Sequence, residues 1–214
     1  PFPCSFCFCR KITGDNYWER PLEEVIEELK GIEENEVYII DDNFLVSKER
    51  VMSFIDLLKK HSIKKRYLIY GRADFIAKHP KTIKRFKKYG LRTIIVGFES
   101  FNDNELTSLN KKSMAKTNEY AMNVLNKFKV DCYASVIAMP EWSKEDFRNA
   151  TKKMIDLKIR FLNIQPLTPL EKTDIEFDDN NLIINRSEKA SSCFTKMFLN
   201  LINSSNDKKY ATIS

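Results

Sequence analysis

The sequence predicts an α/β fold in which parallel strands alternate with helices. From Glu36 onward, short apolar or β-branched stretches alternate with amphipathic stretches of about a dozen residues, the pattern of strands joined by crossover helices. This unit repeats along the chain, and such strands either close into a full or partial barrel or form an open doubly wound sheet. In both architectures, catalytic residues gather at the carboxyl ends of the strands.

The first predicted helix follows Pro21, a residue that can occupy the first turn of a helix. Its sequence, LEEVIEELKG, places apolar side chains on one face and ends at Gly31. We then expect a strand in EVYIIDD, a helix in SKERVMSFIDLLKKH with Ser47 as its cap, and a strand in RYLIYG. These segments give the first complete unit of strand, helix and strand.

The same alternation continues to Gln165. The predicted elements are a helix in KTIKRFKKYG, a strand in RTIIVGF, a helix in TNEYAMNVLNKFK, a strand in DCYASVIA, a helix in SKEDFRNATKKMIDLK and a strand in RFLNIQ. The sheet therefore has five predicted strands. Beyond Asp174 we expect a polar loop, a short strand near residues 182–184 and an amphipathic helix, which together form an appendage.

Length and composition favour one main domain. The chain has 214 residues, of which 43% are hydrophobic, so it can bury a sizeable core. No stretch is apolar for the eighteen or so residues of a membrane span, and the first residues lack the pattern of a signal peptide. We therefore expect a cytoplasmic protein with no membrane partner. The net charge of +6 arises from scattered cations, which favours solvated helix faces over a nucleic-acid stripe.

Polar side chains follow four of the five predicted strands. Asp41, Asp42 and Asn43 follow the first strand, Gly71, Arg72 and Asp74 the second, Gly97, Phe98, Glu99 and Ser100 the third, and Gln165 and Pro166 the fifth. One such residue could simply cap a helix, but four polar strand ends at one edge favour a shared site. Glu99 needs a stabilising partner after the apolar run TIIVGF. Arg72 could pair with Asp74 or hold a carboxylate of a cofactor or substrate.

Three of the five cysteines lie in the first nine residues, PFPCSFCFC. Cys4 and Cys7 have Cys-x2-Cys spacing, which suits a zinc ribbon, a redox pair or part of an iron–sulfur site. The remaining two cysteines and both histidines are isolated, so no second zinc-ligand pair follows. A redox pair would follow a strand, whereas this pair precedes the first one. In a reducing compartment, the cluster favours a metal site over disulfides.

Taken together, these features resemble the radical SAM superfamily, whose signature is Cys-x3-Cys-x-aromatic-Cys on a loop after the first strand of a partial βα barrel. PFPCSFC matches the second and third cysteines at Cys4 and Cys7 and the aromatic at Phe6, and the first cysteine would directly precede Pro1. The resemblance implies a partial (βα)6 TIM-type barrel over residues 1–173 that lacks its first strand. A small C-terminal α+β extension would cover residues 174–214.

The resemblance also implies the cofactors and the reaction. Cys4 and Cys7 would bind a 4Fe-4S cluster whose open iron binds the amino and carboxylate groups of S-adenosylmethionine. Reductive cleavage of that cofactor gives a 5′-deoxyadenosyl radical, which abstracts hydrogen from a substrate that the sequence does not identify. The implied partner is a reductant such as flavodoxin or ferredoxin. Similar members often carry an upstream cobalamin-binding domain, which makes methyl transfer or radical rearrangement the expected subclass.

Several motifs resemble the cofactor-binding segments of the superfamily. YIIDDNF is similar to the second-strand motif at the methionine end of the cofactor, and YGRAD and VGFES are similar to the next two strand ends. ASVIAMPE aligns with the pattern Gly-x-Ile-x-Gly-x-x-Glu, although alanine replaces both glycines, and NIQPLTPLEKT resembles the sixth-strand end. Phe6 would pack on the adenine. The candidate cofactor contacts are Phe6, Asp41, Asp42, Asn43, Arg72, Glu99, Ser100, Val136, Ala138 and Gln165.

Two other classes of function compete with this interpretation. A degenerate barrel without a cluster would be a binding module, and the residue encoded directly before Pro1 separates it from the enzyme. A basic RNA-binding protein with a zinc-bound cysteine pair would contain zinc instead of iron and would lose RNA affinity steeply with salt. Cys9 lies outside the three-cysteine pattern, and we expect a small buried residue or an unligated thiol there.

Overall fold

The computed structural model describes residues 2–9, 17–168 and 173–175. The strands are β1 (Glu36–Tyr38), β2 (Arg66–Arg72), β3 (Leu91–Glu99), β4 (Asp131–Ala138) and β5 (Phe161–Pro166). The helices are α1 (Leu22–Gly31), α2 (Lys48–Lys60), α3 (Ala73–Lys78), α4 (Pro80–Lys88), α5 (Asp103–Ser108), α6 (Ala115–Phe128) and α7 (Lys144–Asp156). No helix within these residues is long and apolar enough to cross a bilayer.

The five strands form one parallel sheet whose spatial order follows the chain, from β1 to β5. An order that never reverses is the winding of a barrel, whereas a doubly wound sheet reverses at a switch point. The sheet curls into a half-barrel, and helices α3, α4 and α6 pack against it. The predicted α/β class and partial TIM-type barrel are therefore confirmed.

Local sequence signals set the helix boundaries. Ser47 caps α2, because its hydroxyl accepts a hydrogen bond from the Arg50 N–H at 3.2 Å. Ser143 and Asp146 form a reciprocal capping box at the start of α7. Pro80 occupies the first turn of α4, where its missing N–H costs nothing. These predictable ends fix where the chain enters and leaves each strand.

The first strand is shorter than EVYIIDD predicts. The Ile39 N–H still donates to the Leu68 carbonyl at 3.0 Å, but the Asp41 carboxylate then accepts the Asn43 N–H at 2.8 Å. This local hydrogen bond competes with strand pairing and turns the chain after Ile39. The short helices α3 and α5 are absent from the sequence prediction, because six residues are too few to show a helical period.

An aromatic cluster fills the core between the sheet and helices α2 and α4. Phe44, Phe54, Tyr67 and Phe86 pack with ring centroids 5.2–6.0 Å apart, mostly edge to face or tilted. Gly90 lies beside this cluster with φ at +110°, and an added Cβ would lie 2.0 Å from the Lys65 carbonyl oxygen. Only glycine fits this position, which sets the close approach of the α4–β3 turn to β2.

The predicted strand near residues 182–184 and the helix after it lie outside the described residues. The division into a core of residues 1–173 and an extension of residues 174–214 stays a prediction.

We predict that Tyr67→Phe leaves stability unchanged or raises it by about 1 kcal/mol. The Tyr67 hydroxyl is buried without a hydrogen-bond partner among the described residues, and such a group costs about 1–3 kcal/mol. Burial raises the pKa of Tyr67 above its unfolded value of about 10, so the unfolded wild-type chain loses this proton first and its free energy of unfolding falls as the pH rises past that value, whereas the phenylalanine variant escapes this fall. Urea unfolding at pH 8 and at pH 10.5 tests both statements. A clear destabilisation at pH 8 would mean that the hydroxyl has a partner.

Candidate cluster and cofactor site

A cavity of about 920 Å³ is lined by the cysteine loop (residues 2–9), by the carboxyl ends of β1, β2 and β3, and by residues from the segment 17–32, which contains α1. The side chains that the sequence predicted and that line this cavity are Cys4, Phe6, Cys7, Asp41, Asp42, Asn43, Arg72 and Glu99. They come from four separate segments, and the parallel sheet brings them to one edge. The structure thus supports one shared site at this edge.

The cysteine loop is anchored by backbone hydrogen bonds. The Cys7 N–H donates to the Cys4 carbonyl at 3.3 Å, which turns the chain between the two sulfurs. The Ser5 N–H donates to the Leu109 carbonyl at 3.1 Å, and the Asn110 amide donates to the Pro3 carbonyl. Because these bonds join the loop to the segment after α5, both cysteines are held against the cavity. Cys4 is buried and Cys7 is half-buried.

The donor chemistry of this loop fits an iron–sulfur cluster. Two thiols three residues apart supply two of the three sulfur donors that the motif requires, and they form no disulfide. Among the described residues, no three Cys, His, Asp or Glu side chains are grouped as a metal site. The side chains of Arg72 and Lys111 lie beside this loop: Arg72 Nη1 is 3.9 Å from the Cys4 sulfur, and the Lys111 ammonium is 5.7 Å from the centroid of the Phe6 ring.

Glu99 has the buried partner that the sequence required. Its carboxylate lies 2.8 Å from the Lys111 ammonium, and both side chains are about nine-tenths buried. Glu99 has a positive φ of 62° at a register shift between β3 and β4, and this shift turns its side chain toward the cavity. An added Cβ at Gly97 would lie 2.4 Å from the Glu99 carboxylate, so the glycine makes room for the pair.

The β1 end carries both satisfied and unsatisfied polar groups. The Asp41 carboxylate accepts a hydrogen bond from the Tyr17 hydroxyl at 2.9 Å. Burial is the main cause that raises the pKa of Tyr17, and the Asp41 carboxylate raises it further. Both polar side-chain atoms of Asn43 are buried and have no partner among the described residues. Because buried amides are normally hydrogen-bonded, an unsatisfied amide at a cavity wall fits a polar ligand.

Four predicted cofactor contacts do not line the cavity. The Ser100 hydroxyl donates to the Glu105 carboxylate and accepts from the Asn102 N–H at 2.9 Å. Val136 and Ala138 are buried in β4, and Gln165 is exposed. Their cofactor roles stay predictions. Phe6 does line the cavity, and it also packs on the small apolar cluster of Leu109, Ile137 and Met139.

Sequence reasoning missed Lys111 and Ser135, which also line the cavity. Lys111 precedes another lysine in a polar segment, and nothing local distinguishes it from the solvated lysines that are common in this chain. Ser135 lies within DCYASVIA, whose apolar pattern predicts a buried strand and not a site residue. Only the distance to Glu99 makes Lys111 a site residue.

Comparison with known proteins identifies the family. A sequence model described as the Radical SAM superfamily matches residues 1–154. The chain belongs to the radical SAM superfamily. This membership implies a 4Fe-4S cluster and S-adenosylmethionine as cofactors, and it agrees with the cysteine pair at the cavity.

Relatives with assigned functions are similar over most of the chain. The hopanoid C-3 methylase of Methylococcus capsulatus is 24% identical over 174 residues, which is 81% of this chain and 34% of the relative. The bacteriochlorophyllide d C-12(1)-methyltransferase of Chlorobaculum tepidum is 24% identical over 181 residues, 81% of this chain and 39% of the relative. The chain therefore spans little more than a third of the length of these relatives.

Solved structures support the same fold. The radical S-adenosylmethionine methyltransferase TsrM from Kitasatospora setae, with cobalamin and a [4Fe-4S] cluster bound, superposes with a TM-score of 0.67 at 15% identity, covering 81% of this chain and 36% of that one. Methylornithine synthase superposes with a TM-score of 0.62 at 16% identity, covering 94% of this chain and 59% of that one. At these identities the likeness concerns the radical SAM barrel alone.

Proposed function

We propose that this chain is the catalytic barrel of a radical SAM methyltransferase. The observation that carries the proposal is the single cavity in which the Cys4–Cys7 pair, the buried Glu99–Lys111 pair and the unsatisfied Asn43 amide meet. A site with sulfur donors, a buried ion pair and an unpaired amide suits a cluster beside a zwitterionic cofactor. The methylase relatives support methyl transfer as the subclass.

Cys4 and Cys7 would hold the 4Fe-4S cluster through their thiolates, together with a third sulfur that the motif places directly before Pro1. Bound beside S-adenosylmethionine, the cluster supplies the electron for reductive cleavage of the sulfonium. Cys4 is buried and Cys7 is half-buried, and both line the cavity. A cluster held by these two residues would therefore face the cavity.

The charged and polar residues of the cavity would orient the cofactor. Asn43 offers a donor and an acceptor that have no partner among the described residues, which suits the amino and carboxylate groups of a methionine moiety. Lys111 and Glu99 neutralise each other and can each turn to a group of opposite charge. Phe6 lies under the Lys111 ammonium, 5.7 Å from its ring centroid, and presents a face on which a base can stack.

We also propose the partners of the full protein. Solved neighbours that bind cobalamin support a cobalamin-binding domain as the methyl carrier, and a flavodoxin or ferredoxin would supply electrons. A cytoplasmic location suits an oxygen-sensitive cluster, and the described cysteines form no disulfides.

Anaerobic reconstitution tests the proposal. The full-length protein is incubated with iron and sulfide, reduced, and assayed for 5′-deoxyadenosine and for methyl transfer to cobalamin. We expect about four irons per chain and cofactor-dependent product. Iron without turnover of S-adenosylmethionine would argue against catalysis, and a full-length protein that binds no iron would support a degenerate binding module instead. Zinc in place of iron, with RNA affinity that falls steeply with salt, would support the RNA-binding alternative.

A further inference from the structure

Arg72, at the end of β2, contacts two residues of the cysteine loop in addition to its ion-pair partner Asp74. Its side chain is only 10% exposed. Nε and Nη2 donate to the Asp74 carboxylate at 3.0–3.2 Å, and Nη2 also donates to the Lys111 carbonyl at 3.2 Å. The remaining nitrogen, Nη1, lies 3.9 Å from the Cys4 sulfur, within reach of a hydrogen bond to sulfur.

The flat face of the guanidinium covers a second residue of the cysteine loop. Its central carbon lies 3.9 Å from the centroid of the Phe2 ring, a cation–π contact. The loop therefore touches Arg72 both at the ring of Phe2 and at the sulfur of Cys4. Asp74 uses only one edge of the guanidinium, so the other edge and the face remain for the loop.

Rigid neighbours fix the orientation of this guanidinium. Arg72 pairs in register with Gly97 on the central strand β3. Asp74 is itself held, because its carboxylate accepts the Phe75 N–H at 2.9 Å in the first turn of α3. With the carboxylate fixed, a fork that binds it through Nε and Nη2 directs Nη1 toward Cys4. The position of the Arg72 guanidinium is therefore fixed by β2 and by the Asp74 carboxylate.

We infer that Arg72 is a positioning residue that fixes the Cys4 sulfur and donates an N–H to it, so that a cluster bound there is easier to reduce. Only the effect on cluster reduction rests on the proposed function. A reduced cluster carries one more negative charge than an oxidised one, so a cation and an N–H donor beside one ligand sulfur stabilise the reduced form more. The positioning of the Cys4 sulfur by Arg72 concerns the protein without any metal.

Alkylation of the metal-free chain tests the positioning role. Cys4 and Cys132 are 5% and 4% exposed, so Cys132 in β4 is an internal control of equal burial. In Arg72→Gln we expect roughly tenfold faster iodoacetamide labelling of Cys4, from the loss of about one charge-assisted hydrogen bond, with Cys132 unchanged. Unchanged Cys4 labelling would overturn the inference. Equal acceleration at both cysteines would also overturn it, because the effect would then be global unfolding.

A redox titration of the reconstituted full-length protein, followed by electron paramagnetic resonance, tests the electronic role. We expect Arg72→Gln to make one-electron reduction about tenfold less favourable, a shift of about 59 mV to more negative potential. The matched control is Arg148→Gln, which removes an equally charged but exposed guanidinium on α7. A potential equal to that of the control would overturn the inference.

Arg72→Lys keeps the experiment decisive if the glutamine variant loses its cluster. A lysine bound to Asp74 has no second nitrogen for Cys4, so we expect a shift in the same direction. An unchanged potential in Arg72→Lys would overturn the electronic role. Wild-type protein that binds no cluster while Cys4 stays protected by Arg72 would refute the proposed function and leave the positioning role standing.

Discussion

Replacing Cys7 with alanine is expected to abolish the visible iron–sulfur absorbance of the reconstituted protein. Cys7 lines the cavity and is linked by a backbone hydrogen bond to Cys4, so the two sulfurs act as one binding unit. Removing one of three sulfur donors leaves a cluster with too few protein ligands to persist. The measurement is the absorbance near 400 nm with the iron content per chain, for which we expect roughly complete loss.

Cys9→Ala is the matched control, because Cys9 lies two residues from Cys7 but outside the motif. Burial raises the pKa of Cys9 to about 11, and Asp42 and Cys7 contribute to the rise. The three-cysteine motif assigns no cluster ligand to Cys9, so its removal takes no sulfur donor from the iron. We expect the Cys9 variant to retain its cluster. Equal iron loss in both variants would show that the ligands are wrongly assigned.

Lys111→Met is expected to lower the free energy of unfolding by about 3–5 kcal/mol, because it leaves the buried Glu99 carboxylate without its partner. Adding Glu99→Gln to this variant should recover part of the loss, since the double variant no longer buries an uncompensated charge. Urea unfolding of the metal-free wild type and of both variants measures these changes. The reconstituted full-length Lys111→Met variant should lose cofactor-dependent activity, because Lys111 lines the proposed cofactor cavity.

The exposed pair Arg148–Glu145 provides the comparison for this measurement. Both of its side chains are largely exposed, so Arg148→Met should cost less than about 1 kcal/mol. If Lys111→Met costs no more than Arg148→Met, the Glu99–Lys111 pair is solvated in the full protein and cannot act as a buried charge pair. If the double variant is no more stable than Lys111→Met, the loss comes from packing and not from charge.

Much of the fold follows from local patterns in the sequence. Alternating periodicities predicted five strands in order, and Ser47 as a cap placed the start of α2. The prediction was wrong about the length of the first strand, because the Asp41 side chain competes for a backbone N–H that a strand would use. The periodic signal was also too short to predict α3 and α5.

The sequence alone determined the family and the edge of the sheet at which the candidate site lies. Cys-x2-Cys with an intervening aromatic needs only four residues, and polar strand ends meet whenever parallel strands are wound in order. Because these features are local or periodic, they can be recognised in the sequence without knowledge of the tertiary structure.

Only the tertiary structure decided which side chains act on one another. Arg72 and Cys4 are 68 residues apart in the chain, and the Glu99–Lys111 pair depends on a register shift and on the space beside Gly97. Ser100 forms its hydrogen bonds with α5 and its N-cap and does not line the cavity. Such contacts depend on how loops from distant parts of the chain pack over the sheet, and no pattern within a single segment encodes that packing.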